Sequence, residues 1–339
     1  MKFDSNNFKI LILITLIVFS CKTDKKRLNT DKSLSIDDSA YVIDSTYSKG
    51  DVRRYGVIPG KGIGQHPKIL KDKLDVLLDI AESGITITFP EGVYNRTFNI
   101  INRSNIHIIA NNALFTGSII INNSNSIIAE GTIQTLLQFV TNESENLIFE
   151  NIIIKTDTAL SGNGKRSYGC SIHGGTKNLK IKKLVVEDVG SGSEEYKFVK
   201  GGLVVHGHNN EPQKISIDSV LIQSSDRHGA YLTGSEINIK YLRVDKFGLG
   251  SSDQMAPMEG GINGEQRNFA GLWIKNCFNS KIEKAIIDLN GSNGKFSYNF
   301  DIGESFRPFT IGELIIKGAA NNPTIQNRSL SRTGVVIEK

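Results

Sequence analysis

Leu147-Ile-Phe-Glu-Asn-Ile-Ile-Ile154 places hydrophobic residues at x, x+2, x+5 and x+7: Leu147, Phe149, Ile152 and Ile154. Two period-2 pairs separated by a three-residue step read as two short strands joined at a bend, each turning alternate side chains inward. The same frame returns at Leu179/Ile181/Leu184/Val186, Ile215/Ile217/Val220/Ile222, Ile237/Ile239/Leu242/Val244, Ser280/Ile282/Ala285/Ile287 and Phe309/Ile311/Leu314/Ile316. Successive frames lie 32, 36, 22, 43 and 29 residues apart, so the spacing of 22 is the bare repeat and the excess elsewhere is loop. A repeat this short cannot bury its own apolar face, so neighbours must stack into one continuous core. The expected fold is therefore all-β, a single-stranded parallel β-helix, a solenoid of stacked coils.

The 39% hydrophobic content of this 339-residue chain suffices for a large core, and the unbroken repeat argues for one domain over residues 51–339. Ahead of it, Lys2 and Lys9 flank an apolar run from Ile10 to Phe19 that ends in Ser20-Cys21-Lys22. That run is too short to span a bilayer as a helix and has the layout of a secretory signal peptide. Val18-Phe19-Ser20-Cys21 resembles a bacterial lipobox, which implies lipidation at Cys21, removal of residues 1–20, and a membrane-anchored protein of the cell envelope, on the outer membrane. Residues 21–50, mixed in Lys, Asp, Ser and Thr, read as a flexible tether. Loss of Lys2, Lys9 and Asp4 with the leader takes the net charge from +5 to +4, a mild balance that does not mark a nucleic-acid binder. Cys170 and Cys277 are the cysteines left, without zinc spacing. Cys170 fits an inward slot, so two buried thiols are expected rather than a disulfide.

Ile69, Leu70, Leu74, Leu77, Leu78 and Ala81 fall at helical spacing between Pro67 and Gly84, which predicts a helix over about 67–83 that covers the open end of the first coil. The strand Tyr55-Gly-Val57, this helix, and Gly84 leading to Phe89-Pro-Glu-Gly-Val-Tyr94 together resemble the N-terminal segment of the pectate-lyase-like superfamily of right-handed β-helix proteins. That superfamily's Asp-Gly-x-x-Asp-Asp-Thr run is replaced here by Gly60-Lys-Gly-Ile-Gly-Gln65, so no subfamily follows. The resemblance spans residues 51–339 and implies a right-handed coil with a polysaccharide cleft on one strand sheet.

A further strand per coil aligns as Gly169-Cys-Ser-Ile-His173, Gly202-Leu-Val-Val-His206, Gly229-Ala-Tyr-Leu-Thr233, Gly271-Leu-Trp-Ile-Lys275, Asn299-Phe-Asp-Ile-Gly303 and Gly334-Val-Val-Ile-Glu338. Its second and fourth members face inward. One outward column is then Ser171, Val204, Tyr231, Trp273 and Asp301, beside a second of His173, His206, Thr233 and Lys275. Loops lengthen ahead of these strands, with Glu194, Glu195, Tyr196, Lys197 and Lys200 in one and Asp253, Glu259, Glu265 and Arg267 in another; Asp226-Arg227-His228 leads into the strand of Tyr231.

Tyr231 and Trp273 offer flat surfaces for sugar rings, or Trp273 packs beneath its loop. His173, His206, His208, Arg227, His228 and Lys275 collect positive charge that suits an anionic polysaccharide, a uronate, although each histidine alone is as well read as a structural group. Breaking a uronate by β-elimination requires a neutraliser for the carboxylate, a base for the C5 proton, and a proton donor for the leaving oxygen. The candidates are Arg227 as neutraliser, His206 as base, and Tyr231 as donor, with His173, His228 and Lys275 as alternates. Trp273, His208, Asp301, Arg267 and Lys200 would bind substrate. Calcium, the neutraliser in many members of the superfamily, would have to draw on Asp226, Asp253, Glu259 or Asp301. A glycoside hydrolase is the rival enzyme, with Asp301 paired to Asp226 or Glu304 about 5–9.5 Å away. His206-Gly-His208 partly matches the Gly-His-Gly of polygalacturonases, whose paired aspartates are missing here. A non-catalytic glycan-binding solenoid is the third reading. The Asn122-Asn123 and Asn209-Asn210 pairs read as left-handed turns.

Overall fold

The computed structural model describes residues 37–156, 167–190, 201–207, 210–249, 268–303, 306–329 and 333–338. The signal peptide, Cys21, His208, Lys200, Arg267 and Glu304, and the acidic loop residues Glu194, Glu195, Asp253, Glu259 and Glu265, lie outside the described residues. From Asp37 onward the described chain belongs to one compact unit.

The first turns contain α1 (Lys73–Glu82), β1 (Ile87–Phe89), β2 (Gly92–Tyr94), β3 (Phe98–Ile101), β4 (Ser104–Phe115), β5 (Ile119–Asn122), β6 (Asn125–Thr135), β7 (Gln138–Asn142) and β8 (Glu145–Ile154). The later ones contain β9 (Gly169–His173), β10 (Lys177–Val186), β11 (Gly201–His206), β12 (Gln213–Ile222), β13 (His228–Val244), β14 (Ala270–Phe278), β15 (Ser280–Asp288), β16 (Phe296–Asp301), β17 (Phe309–Lys317), β18 (Gln326–Ser329) and β19 (Val335–Ile337). Among the described residues all 19 strands join one sheet, and every strand pairing in it is parallel. Strands pair across successive turns of the chain: β4 with β6, β6 with β8, β8 with β10 and β10 with β12 in one column, and β5 with β7, β7 with β9 and β9 with β11 in the other. The sheet thus curls round a single apolar interior that runs from Val52 to Val335.

All six frames stack in the predicted register. Leu179 pairs with Leu147 and with Ile215, Val220 with Leu242, Ala285 with Leu242 and Leu314, and Ile287 with Val244 and Ile316. Two earlier turns extend the series: Ile106/Ile108/Ala113/Phe115 aligns with Ile127/Ala129/Ile133/Thr135, which aligns with the frame at Leu147. From Ile106 to Ile127 to Leu147 the steps are 21 and 20 residues, so the bare repeat is slightly shorter than 22. Where the chain turns into each later strand, Gly202, Gly229 and Gly271 leave room for Ile222, Val244 and Ile287; a Cβ at any of the three would collide with that branched side chain.

The N-terminal end differs from the sequence expectations in three ways. Helix α1 begins at Lys73, six residues past Pro67, because the Asp72 carboxylate accepts from Leu74 N at 2.9 Å and caps it there. Ile69 and Leu70 are exposed, and Leu70 is left-handed. Tyr55-Gly-Val57 is not a strand: Val52–Tyr55 forms a 3-10 turn that Asp51 caps through Arg53 N and that left-handed Gly56 ends. Residues 37–50, expected to be tether, are folded onto the unit. Asp38 accepts from Tyr55 Oη at 2.7 Å and Arg54 Nε at 2.8 Å, and Tyr41 O lies 2.9 Å from His66 Nε2. Gly50 and Asp51 bridge to Thr88, so the outer edge of β1 is covered by this segment.

At the other end, Val335-Val-Ile337 pairs with β17 and not with the strands of Tyr231 and Trp273 as the alignment had it. The polar strand β18 takes that place, pairing with β16.

Candidate functional site

Strands β9, β11, β13, β14 and β16 lie side by side with their inward residues interlocked: Cys170 and Ile172, Leu203 and Val205, Ala230 and Leu232, Leu272 and Ile274, then Tyr298 and Phe300. Alternation therefore sends Ser171, Val204, Tyr231 and Trp273 outward in one register column, as the sequence implies. The next member is Asn299 and the one after it Arg328, not Asp301. Asp301 pairs with Lys275 in the neighbouring column, where His173 pairs with His206. The two-residue displacement has a simple cause, since a slip of two keeps every side chain on its own face and alternation alone cannot detect it. Thr233 is buried, with its hydroxyl turned to Val205 O at 3.1 Å, and leaves the column without a group to offer.

The rings on this face form one continuous set. Tyr231 stands between His206 (5.7 Å between centroids) and Trp273 (5.8 Å), and His228 touches Tyr231 (5.8 Å), Trp273 (4.8 Å) and Phe269 (5.2 Å). Lys275 is exposed, and His173, His206, Tyr231, Trp273 and Asp301 are half-buried, within reach of a ligand.

Asp226, Arg227 and His228 are instead buried, at 6, 2 and 3% exposure, where the chain bends from β12 into β13. Left-handed Gly190 gives the Asp226 carboxylate its space, since a Cβ there would overlap it. The Arg227 guanidinium stacks 5.8 Å over the Phe269 ring. Ala270 N donates to His228 Nδ1 at 3.1 Å, so that nitrogen carries no proton; the ring's remaining proton is on Nε2 and the imidazole is neutral in this arrangement. These three residues are thus buried beside the face rather than exposed on it. Phe269, Asn299 and Arg328 are the members that the sequence alignment missed. Correct register would have found Asn299 and Arg328; Phe269 carries no signal in a one-dimensional pattern.

Both cysteines are buried free thiols as expected, and burial pushes the Cys277 thiol up to about 12 and Cys170 higher still. Among the described residues no three His, Cys, Asp or Glu side chains gather as a metal-binding group. A hollow of about 440 Å³ lies on the other strand column, lined by Ile128, Glu130, Ile148, Glu150, Lys182 and Asp218 among others. Its carboxylates are paired, Glu150 with Lys182 at 2.8 Å, Glu130 with His107 at 2.7 Å, and Asp218 with Lys240 at 2.7 Å, while exposed Lys180 also lines it. The hydrogen bond from Lys182 holds the Glu150 carboxyl below its usual range. The carboxylates of that hollow are taken up by these pairs, whereas the His206–Tyr231–Trp273 face groups half-buried aromatic and imidazole rings beside an exposed lysine, and it is the better site.

Comparison of the chain with protein-family models, with curated proteins and with solved structures gives no match. The functional reading therefore rests on this geometry and on the N-terminal resemblance alone.

Proposed function

We propose that the chain is a right-handed parallel β-helix, closed at its first turn by α1, whose β9–β11–β13–β14–β16 face binds an anionic polysaccharide and cleaves it by β-elimination. A lipid on Cys21 would hold it at the cell envelope. The observation that carries this reading is the placement of His206 and Tyr231 on adjacent turns, 5.7 Å apart by ring centroid, with Trp273 next in register to Tyr231.

In this reading the His206 imidazole removes the C5 proton of a uronate. The electron pair of that C–H bond becomes the C4–C5 double bond, the C4–O bond breaks, and the Tyr231 hydroxyl gives its proton to the departing oxygen. His206 then returns a proton to the tyrosinate, directly or through solvent, so neither residue is consumed. Lys275, exposed beside the column, takes the uronate carboxylate, and His173 in register with His206 extends the positive surface. Buried Arg227 lends positive charge without direct contact, and the neutral His228 ring packs against Tyr231 and Trp273 and helps to fix the aromatic set. A calcium ion would draw on buried Asp226 or half-buried Asp301 among the described residues.

Incubation of the full-length chain with alginate, pectate, glycosaminoglycan and ulvan, followed by ultraviolet absorbance of the unsaturated product, tests the proposal. A rise on one of them supports elimination. New reducing ends without that absorbance would establish hydrolysis instead, and retained binding with neither signal would leave a glycan-binding solenoid.

A further inference from the structure

The hollow of about 440 Å³ on the other strand column contains one row that breaks the pattern of a solvated face. The x+1 positions of β6, β8, β10 and β12 point outward and are register partners in turn: Ile128, Ile148, Lys180 and Ser216. Ile128 and Ile148 are 37 and 44% exposed, side by side where alternation calls for polar residues. Lys180 next to them is exposed, and among the described residues its ammonium has no ion pair or hydrogen bond. The parallel row at x+3 is Glu130, Glu150, Lys182 and Asp218. Its carboxylates are committed: Glu150 accepts from Gly131 N and from Lys182 Nζ, both at 2.8 Å, and Asp218 takes Lys240 at 2.7 Å. The hollow thus combines an open apolar half, one uncommitted cation, and a wall of carboxylates.

We infer that this hollow binds an amphipathic monoanion, with an apolar chain over Ile128 and Ile148 and a single carboxylate at Lys180 and Ser216. Neighbouring strands are about 4.8 Å apart, so the row from Ile128 to Lys180 spans about 9.6 Å, close to the length of octanoate. Covering the two isoleucines removes apolar surface from water. At the other end the Lys180 ammonium and the Ser216 hydroxyl both donate to the carboxylate. A polyanion such as a uronate chain does not suit the site, because a second carboxylate further back along the row would lie against Glu130 or Glu150. The volume falls in the range of small-molecule sites, about 300–1,000 Å³. This site differs from the His206–Tyr231–Trp273 face in place and in ligand, and it does not depend on the lyase reading.

Titration calorimetry of the full-length chain tests it with four probes: octanoate, octylammonium of inverted charge, suberate with a carboxylate at each end, and acetate as the head group alone. The expected result is saturable binding of octanoate, with the other three at least about tenfold weaker. Lys180→Met keeps the stem and loses the charge, and should weaken octanoate about tenfold. Ile148→Thr keeps a β-branched residue on the strand and should weaken it about threefold. Lys180→Glu should exchange the preference, so that octylammonium binds and octanoate does not, a result that misfolding cannot produce. Thermal unfolding of each variant checks the fold. No saturable octanoate binding, suberate bound as well as octanoate, or octanoate still preferred by folded Lys180→Glu would overturn the proposal. So would unchanged affinity in folded Lys180→Met, the outcome expected if another apolar surface takes up the chain.

Discussion

The turns from β3 to β8 and those from β9 to β16 share one interior and differ on the outside. Inside, both are stacks of Ile, Leu, Val and Phe, and the contact is continuous from one set to the other. Outside, the early turns are tied by asparagine ladders, Asn102 with Asn123 at 2.7 Å, Asn122 with Asn142 at 2.8 Å and Asn125 with Asn146 at 2.8 Å, and by ion pairs such as His107 with Glu130. Their turns are short and their polar groups satisfy one another. The later turns put Tyr231, Trp273 and Asn299 in one outward column and His173 and His206 in the next, and the buried Trp273 Nε1 and Asn299 amide have no hydrogen-bond partner. The inward half of each strand specifies the fold, and the outward half is left to carry chemistry.

The comparison breaks most visibly at Tyr231. Replacing it with Phe keeps the ring among His206, His228 and Trp273 but removes the proton donor, so elimination should fall about 10²-fold or more with the melting temperature little changed. Product absorbance beside thermal unfolding measures both; a drop in stability that matched the loss of rate would assign Tyr231 to packing.

The opposite behaviour is expected inside the early turns. Phe149→Ala removes a buried ring that meets Phe139 edge-on at 5.0 Å and should cost about 3–5 kcal/mol in denaturant unfolding, with normal activity per folded molecule.

At the N-terminal end, Asp38→Asn weakens the contacts to Arg54 and Tyr55 and should cost about 1–3 kcal/mol. The Arg54 hydrogen bond holds the Asp38 carboxyl below 3.8, so its contribution is present above that value and is lost as pH falls further. Tyr55 behaves inversely: burial raises its hydroxyl to about 12, so its contribution is present below pH 10 and is lost as pH rises through about 12. Melting temperature against pH, in wild type and Asp38→Asn, should show the acid limb flatten in the variant.

The smallest effect is expected at the thiols. Cys170 and Cys277 are fully buried, so a thiol reagent should react with neither until the protein unfolds. Reaction under native conditions would mean that the later turns, which hold both thiols, open locally.

Much of this organisation was legible in the sequence, for identifiable reasons. The six frames were readable because burial imposes a strict period on Leu, Ile and Val. The turns at Ile106 and Ile127 escaped because irregularities between Ala110 and Ala113 and between Ala129 and Thr132 stretch the three-residue step, and because Thr135 occupies an apolar slot. Left-handed Asn123 was foreseen from its pair with Asn122. The face of Tyr231 and Trp273 was legible to the column, and Asn299 was lost to a slip of two that preserves alternation. Burial of Arg227 and His228 could not be read at all, since whether a residue at a bend lies above or below the sheet depends on neighbours such as Phe269, which is 42 positions from Arg227.

The most direct test compares elimination by the wild type, His206→Ala and His107→Ala on the most responsive uronate, with thermal unfolding as the check on folding. His206 and His107 both stand on outward positions, one in each set of turns. The account predicts that His206→Ala abolishes the unsaturated product while His107→Ala leaves it near wild type, with both variants folded. Product from folded His206→Ala, or its loss in folded His107→Ala, would contradict the placement of chemistry on the later turns.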